Sequence, residues 1–290
     1  MRIKTYIIIA LLALTACRTM AQTRTNKHVF TDFQGFEREY FISIPDSLAD
    51  GKPLIFCLHG HGGRAEGYKP DLEAEILGHG FAVCFPQGLK SPIGKTGWNV
   101  RYPSQKGMKT DDIAFIVHLA KTLPAEYGLN PTNVFMTGMS NGGDMCYLMA
   151  LTHPDVFRAI AAMAGVQVGW TVDEITPCGH VPFMAVNGTA DRLAWWEGDP
   201  DNQYGWGTYL AVPASVGTIV SMDKCVHYTR TELPLKAEGA CPVILHHYDR
   251  GTDGAEVLLY EVIGGAHDWA VDHLDSYGEI LRFFERHIAR

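Results

Sequence analysis

The sequence predicts an α/β protein with a mostly parallel, doubly wound sheet flanked by helices. Two observations support this fold class. Short continuous apolar runs, rich in β-branched and aromatic residues, alternate along the chain with amphipathic stretches of helix length. Strands that are apolar on both faces belong to a parallel sheet that helices cover on both sides. The predicted strands are 53–59, 81–86, 133–138, 157–165, 181–188 and 256–265.

Size and charge limit the number of domains and the class of partner. With 290 residues and 47% hydrophobic content, the chain can bury one large core, so we predict one domain over 23–290. The formal net charge is -8 and no run of Lys or Arg occurs, which argues against a nucleic-acid partner. A small or polysaccharide-linked neutral substrate is expected, and the oligomeric state stays open.

Residues 1–22 have the pattern of a secretory signal. Arg2 and Lys4 precede a short apolar run and then small residues. Two processing sites agree with this pattern. The motif "LTAC", which ends at Cys17, resembles a bacterial lipobox that would make Cys17 a lipidated membrane tether, and cleavage after Ala21 is the alternative. Both predict an extracytoplasmic protein. A transmembrane helix is not expected, because the apolar run is too short to span a bilayer.

The remaining elements follow from local patterns. Residues 39–45 alternate polar and apolar side chains, which predicts an antiparallel edge strand. Residues 110–128 predict a helix with Thr110 as N-cap, because acids and then an apolar face follow this threonine. The stretch 275–290 predicts an amphipathic helix that closes the domain.

The least regular stretch is 192–242, which is rich in Trp, Tyr, Gly and Pro and follows a predicted strand. We therefore predict a lid-like insertion or substrate wall there. In an oxidising compartment Cys225 and Cys241 could pair, with Cys178 as a competing partner. The other three cysteines of the mature chain lie in apolar segments, where buried free thiols are expected: Cys57, Cys84 and Cys146.

The segment "GMSNGG" contains the candidate nucleophile. Gly138, Ser140 and Gly142 match G-x-S-x-G between the predicted strand 133–138 and a helical stretch. Such an elbow exposes the serine at a helix N-terminus, where the amide N–H of Asn141 can stabilise an oxyanion. The flanking glycines let strand and helix pass without Cβ clashes. Ser140 is therefore the predicted nucleophile.

A serine nucleophile needs a base that an acid orients, and both follow later strands. Asp191 comes just after the strand 181–188, and His267 comes just after the strand 256–265. The order Ser, Asp, His is the one used by serine hydrolases with an open α/β sheet. We therefore predict Asp191 and His267 as the other catalytic residues, and packing or surface roles for the histidines inside predicted strands and helices.

Together these motifs resemble one family. The segments "LHGHGG", "FPQG" with "GWN", "DDIAF", "GMSNGG", "NGTAD" and "GGAHDW" are similar to the secreted polyhydroxybutyrate depolymerase and feruloyl esterase group, carbohydrate esterase family one in the broad sense. The similarity covers about 35–287. It implies an α/β-hydrolase fold and an esterase that uses no cofactor and no metal. On matching motifs, Ser140, Asp191 and His267 would be its triad, and His61 would add its backbone to the oxyanion hole.

The resemblance implies feruloyl, acetyl or hydroxyalkanoate ester substrates. We predict a feruloyl or acetyl esterase acting on side groups of plant cell-wall polysaccharide (xylan). The candidate substrate-binding residues are large aromatics, which can stack on a phenolic group or a sugar ring: Trp98, Trp195, Trp196 and Trp269. Packing under the lid is an equal alternative for Trp195 and Trp196. Trp206 and Tyr209 cannot be ranked against them from sequence.

Three other functions remain open. A polyester depolymerase would share every catalytic residue. A non-catalytic surface carbohydrate-binding protein on the same fold would be expected to lose part of the triad. A metallohydrolase would use His59 and His61, but "GGR" follows and offers no further ligand. We therefore predict that the His59 side chain orders its loop by hydrogen bonding, and that His61 acts through its backbone N–H.

Overall fold

The structure is a computed structural model that describes residues 24–45 and 51–289. The predicted signal and Cys17 lie outside the described residues. Within the described part, ten strands form one sheet. They are β1 (Arg24–Thr31), β2 (Glu37–Ile44), β3 (Leu54–Leu58), β4 (Ala82–Pro86), β5 (Val134–Met139), β6 (Ala159–Met163), β7 (Phe183–Gly188), β8 (His227–Glu232), β9 (Val243–Asp249) and β10 (Val257–Val262).

The sheet is parallel in the middle and antiparallel at its two sides. Its order is β1-β2-β4-β3-β5-β6-β7-β10-β9-β8. The strands from β4 to β10 in this order run parallel to one another, while β1 with β2 and β8 with β9 add antiparallel pairs. Every residue of β3 and β6 is buried, as the uninterrupted apolar runs predict.

Helices cover both faces of the sheet, so two cores form. They are α1 (Pro70–Gly78), α2 (Asp112–Tyr127), α3 (Asn141–Thr152), α4 (Trp170–Glu174), α5 (Val212–Asp223) and α6 (Ser276–Arg286). Apolar residues of α2, α3 and α5 pack on one face, and those of α1 and α6 pack on the other. None of the helices in the described ranges is long and apolar enough to cross a membrane. The predicted doubly wound arrangement is confirmed.

Two local predictions were wrong. The strand predicted at 39–45 is β2, but it is not the edge, because β1 pairs with its outer side from Arg24 opposite Ile44. The N-cap of α2 is Asp111 rather than Thr110, since the Asp111 carboxylate accepts a hydrogen bond from the Ala114 amide at 2.9 Å. A carboxylate is as good a cap as a threonine hydroxyl, so the sequence could not rank these neighbours.

A buried ion pair connects the start of α2 to the sheet. The Arg38 guanidinium on β2 lies 2.6 Å from the Asp112 carboxylate at the start of α2, and both side chains are fully buried. The second Asp112 oxygen accepts a hydrogen bond from the Asn99 amide at 2.7 Å. Asp112 therefore fixes the beginning of the segment 98–108, which reaches the candidate site.

The lid-like insertion predicted around 192–242 is shorter than expected. Two stretches of it lack regular structure, 192–211 and 233–242, and α5 and β8 lie between them. All six described cysteines are free thiols. Cys225 precedes β8 and Cys241 precedes β9, so the two lie at opposite ends of an antiparallel pair roughly 20 Å long. A disulfide needs Cα atoms within about 7 Å, which excludes the Cys225–Cys241 pairing in this fold.

Candidate active site

Ser140 lies on a sharp turn between β5 and α3. Its φ of 57° is a left-handed backbone conformation, which non-glycine residues adopt rarely. The turn needs glycine on both sides. A Cβ on Gly138 would lie 2.6 Å from the Gly142 carbonyl oxygen, and one on Gly142 would lie 2.7 Å from the Leu58 oxygen. The glycine spacing in the sequence therefore reflects contact between backbones at this elbow.

Asp191 and His267 meet at the carboxyl ends of neighbouring strands. Asp191 follows β7 and His267 follows β10, and these strands pair in parallel. The His267 Nδ1 atom lies 2.6 Å from Asp191 Oδ2. The other carboxylate oxygen accepts hydrogen bonds from the Leu193 amide at 2.7 Å and the Ala194 amide at 3.0 Å. With Nδ1–H donating to the carboxylate, Nε2 is free to accept a proton.

A buried histidine holds the loop after β3. His59 Nδ1 donates to the Gly60 carbonyl at 2.8 Å, and Nε2 accepts from the Gly88 amide at 3.0 Å. Burial lowers the pKa of His59, which keeps the ring neutral, as both hydrogen bonds require. The prediction that His59 orders this loop is confirmed. Among the described residues, no group of three or more His, Cys, Asp or Glu side chains is arranged to hold a metal ion.

The loop brings the His61 backbone to the same end of β5 as Ser140. A Cβ on Gly60 would lie 3.4 Å from Ser140 Cβ, so the two segments are in contact. Within 24–45 and 51–289, no protein acceptor takes a hydrogen bond from the amide N–H of His61 or Asn141. The Asn141 side chain has a separate role, since it accepts from the Trp98 amide at 2.7 Å and donates to the Trp98 carbonyl at 3.0 Å.

Ser140 and His267 open into one cavity of about 290 Å³. Its walls come from the loops after β3, β6 and β7 and from the segment 98–108. The lining residues are Gly60, His61, Tyr102, Met139, Ser140, Asp144, Ala164, Val166, Val168, Leu193, Ala194, Trp206, Tyr209 and His267. The space is mostly apolar and aromatic away from the serine, which suits an organic acyl group.

The four tryptophans predicted to bind substrate do not line this cavity. Trp98 is fully buried, and its indole N–H donates to the His59 carbonyl at 2.8 Å. Trp269 is buried on the opposite face of the sheet, in the core under α1 and α6. Trp195 stacks on Tyr204 with ring centroids 4.4 Å apart, and Trp196 packs against the core. Two of the four are therefore core residues, and the other two are partly buried next to the cavity wall.

The aromatic wall consists of Tyr102, Trp206 and Tyr209 instead. The Trp206 ring meets His61 at 5.3 Å and Tyr102 at 5.5 Å between centroids. Sequence reasoning named Trp206 and Tyr209 without being able to rank them, and it missed Tyr102. It also missed Asp144, a buried acid on the cavity wall just after the "SNGG" turn. Its position one helical turn after Ser140 was the available signal.

The sheet, the serine elbow and the order of the loops define the class of protein as an α/β-hydrolase. Solved structures agree on this fold: an acetyl xylan esterase from Aspergillus awamori has a TM-score of 0.59, covers 90% of this chain with 99% of its own, and is 17% identical. The chain belongs to the family described as Esterase PHB depolymerase, whose family model matches residues 39–194.

Two sequence relatives are informative. The "Putative esterase NocK" of Nocardia uniformis subsp. tsuyamanensis is 31% identical over 52% of this chain and 44% of its own length. The "Feruloyl esterase B" of Talaromyces stipitatus is 24% identical over 78% of this chain and 69% of its own. The match therefore spans less than half of the Nocardia protein and about two thirds of the Talaromyces protein.

Proposed function

We propose that the protein is a serine carboxylesterase with Ser140 as nucleophile, His267 as general base and Asp191 as the acid that orients it. The observation that supports this most is the 2.6 Å contact between His267 Nδ1 and the buried Asp191 carboxylate, beside a serine in a left-handed elbow. A structural Gly-Ser turn would need neither the strained serine backbone nor a paired histidine in the same cavity.

The proposed reaction is a two-step acyl transfer. His267 Nε2 takes the Ser140 proton while Oγ forms a bond to the ester carbonyl carbon. The amides of His61 and Asn141 bind the oxyanion, and the Asp191 carboxylate stabilises the imidazolium. The carbonyl re-forms as the alcohol leaves with the proton from His267. Water then attacks the acyl-enzyme by the same proton route, which releases the acid and restores Ser140.

We propose feruloyl or acetyl groups on plant cell-wall polysaccharide as the substrates. The names of the relatives support this choice, because they include feruloyl and acetylxylan esterases from fungi. The cavity supports an acyl group larger than acetyl, since about 290 Å³ lined by aromatic and valine side chains would be mostly unused by two carbons. An extracytoplasmic location agrees with a polymeric substrate and with the predicted signal at 1–22.

The serine mechanism is tested by Ser140→Ala. We expect hydrolysis of p-nitrophenyl acetate to fall by at least roughly 10³-fold, because the acyl-enzyme can no longer form. Thermal unfolding should remain cooperative, since alanine removes only the hydroxyl. If Ser140→Ala keeps a substantial part of the wild-type turnover in the same assay, the proposal is overturned.

The substrate is tested by parallel turnover of methyl ferulate, acetylated xylan and a hydroxybutyrate oligomer. We expect kcat/KM to be highest for methyl ferulate, because its ring fills the aromatic cavity. Dominant turnover of the oligomer would instead identify a polyester depolymerase. Binding of xylan without hydrolysis of any ester would identify a carbohydrate-binding protein.

A further inference from the structure

A carboxylate stands on the wall of the catalytic cavity and has no part in the proposed mechanism. Asp144 lies on α3 four residues after Ser140, which is one helical turn or about 6 Å along the axis. It lines the cavity and is 5% exposed. Most of the other lining side chains beyond the triad are apolar or aromatic, so this acid is chemically exceptional there.

The partners of Asp144 are neutral. Its Oδ2 atom accepts from the Tyr102 hydroxyl at 2.5 Å, and its Oδ1 atom accepts from the Val166 amide at 2.9 Å. In the part of the chain that the structure describes, no Lys, Arg or His lies within ion-pair distance of it. Each carboxylate oxygen has two lone pairs, so Asp144 can accept further hydrogen bonds from a bound ligand.

The group that reaches Asp144 must be the acyl arm of the ester, an argument that rests on the proposed function. In a polysaccharide ester, the sugar chain continues in both directions from the esterified sugar, so the alcohol part is too large for a cavity of about 290 Å³. An acyl group ends within the cavity. Its carbonyl lies at Ser140, and a hydroxyl that meets Asp144 lies on the part of the cavity wall one turn of α3 after the serine.

We propose that Asp144 determines specificity by accepting a hydrogen bond from a hydroxyl at the far end of an aromatic acyl group, as in hydroxycinnamoyl esters. The ring of such a group would lie among Tyr102, Trp206 and Tyr209.

The wild-type enzyme tests this directly with three esters of matched shape: methyl ferulate, its analogue without the phenolic hydroxyl, and its methyl ether. We expect kcat/KM for methyl ferulate to exceed both others by roughly 10-fold or more, because only the free hydroxyl donates to the buried acceptor. If kcat/KM for methyl ferulate is within about 2-fold of the values for both analogues, the proposal is overturned.

The Asp144→Asn variant tests whether Asp144 causes the preference for a free hydroxyl. Its amide can donate to the oxygen of a hydroxyl and of a methyl ether alike, so the ratio of ferulate to ether should fall to within about 3-fold. Asp223→Asn is the matched control, because Asp223 is another buried acid but does not line the cavity. It should keep the wild-type ratio. A full preference retained in Asp144→Asn would also overturn the proposal.

A measurement on the wild type replaces the variant if Asp144→Asn does not fold. The ratio of ferulate to the deoxy analogue should fall as pH decreases through about 6, where Asp144 takes up a proton and becomes a weaker acceptor. Burial raises its pKa to this value, while the Tyr102 and Val166 hydrogen bonds oppose the rise. The titratable groups that interact with it are Tyr102, Cys146, Tyr147, Asp191, Tyr209 and His267.

Both esters use the same catalytic residues, so effects on the reaction itself cancel in the ratio. A ratio that stays high and constant from pH 5 to 8 (approximate limits on either side of this pKa) would exclude Asp144 as the acceptor. The proposed function has its own test. If p-nitrophenyl acetate and methyl ferulate are not hydrolysed at all, the esterase assignment fails; if they are hydrolysed without a hydroxyl preference, only the role of Asp144 fails.

Discussion

The two sides of the cavity are built in different ways. On the catalytic side, the candidate triad residues follow strands β5, β7 and β10, and backbone contacts between glycines fix the turns. On the opposite wall, 98–108 and 192–211 carry little regular structure and depend on side-chain hydrogen bonds. Gln105 accepts from the Val100 and Tyr102 amides, and Asp199 accepts from the Gln203 and Tyr204 amides. The sheet therefore positions the candidate catalytic residues, and hydrogen bonds from individual side chains shape the cavity wall.

The largest expected effect on the catalytic side, beyond loss of Ser140, comes from Asp191→Asn. The asparagine side chain has no negative charge to stabilise the imidazolium, and its NH₂ group favours the tautomer of His267 that has no proton on Nδ1. We therefore expect kcat to fall on the order of 10³- to 10⁴-fold. Burst and steady-state kinetics with p-nitrophenyl acetate measure this. A loss below about 10-fold would mean that Asp191 only supports the loop.

The two histidines of "HGHGG" provide a second test of the contrast. His59→Ala should lower kcat roughly 10- to 100-fold, because the Gly88 amide and Gly60 carbonyl lose their buried partner and the loop with the His61 amide loosens. His61→Ala keeps that amide and should stay within several-fold of wild type, a weak effect on the order of 1 kcal/mol or less. Equal losses in both variants would contradict a backbone role for His61.

The cavity wall should respond in a substrate-dependent way. Trp206→Ala removes one aromatic surface of the cavity and should raise KM for methyl ferulate about 10-fold, with little change for p-nitrophenyl acetate. Trp195→Ala is the matched control, since Trp195 stacks on Tyr204 away from the cavity. It should leave the ratio of the two substrates unchanged. An equal effect of both variants on both substrates would indicate general destabilisation.

The smallest expected effect lies outside both regions. Burial raises the pKa of Asp223 to about 7, opposed by its hydrogen bond from the Val181 amide. The folded state keeps the proton while the unfolded state releases it, so this carboxyl lowers stability progressively from pH 3.8 to about 7. Asp223→Asn should therefore gain a few degrees of Tm relative to wild type as pH rises through this window. The exposed Asp201→Asn variant should show no such trend.

The placement of the candidate triad at the strand ends was predictable from sequence, and the composition of the cavity wall was not. Ser140, Asp191 and His267 each follow an apolar strand and adjoin glycines, so a local pattern indicated their position. The direction of a tryptophan depends on distant partners: Trp98 turns inward because His59 and Asn141 bind it from other loops. For this reason the sequence did not show which aromatic residues line the cavity at Ser140.

Asp144 was overlooked on similar grounds. Within the helical sequence it resembles an ordinary first-turn acid, and its burial depends on Tyr102, which lies 42 residues earlier in the chain. The N-cap of α2 and the position of β2 in the sheet were also not decided by local sequence, because neighbouring residues or strands fit the same pattern. Elements with a long apolar pattern were therefore predicted well, and contacts made by single polar side chains were not.

The loops that carry Asp191 and His267 are interlocked. A Cβ on Gly188, at the end of β7, would lie 2.2 Å from the Gly265 carbonyl oxygen, and the Ala190 amide donates to that oxygen at 3.0 Å. Neither loop has room to change without the other, so they form a single exchangeable unit. A chimaera with a relative would have to transplant both loops together, including Leu193 and Ala194, whose amides bind the Asp191 carboxylate. Replacement of the cavity wall beyond these residues would then change the substrate surface while the paired acid and base keep their positions.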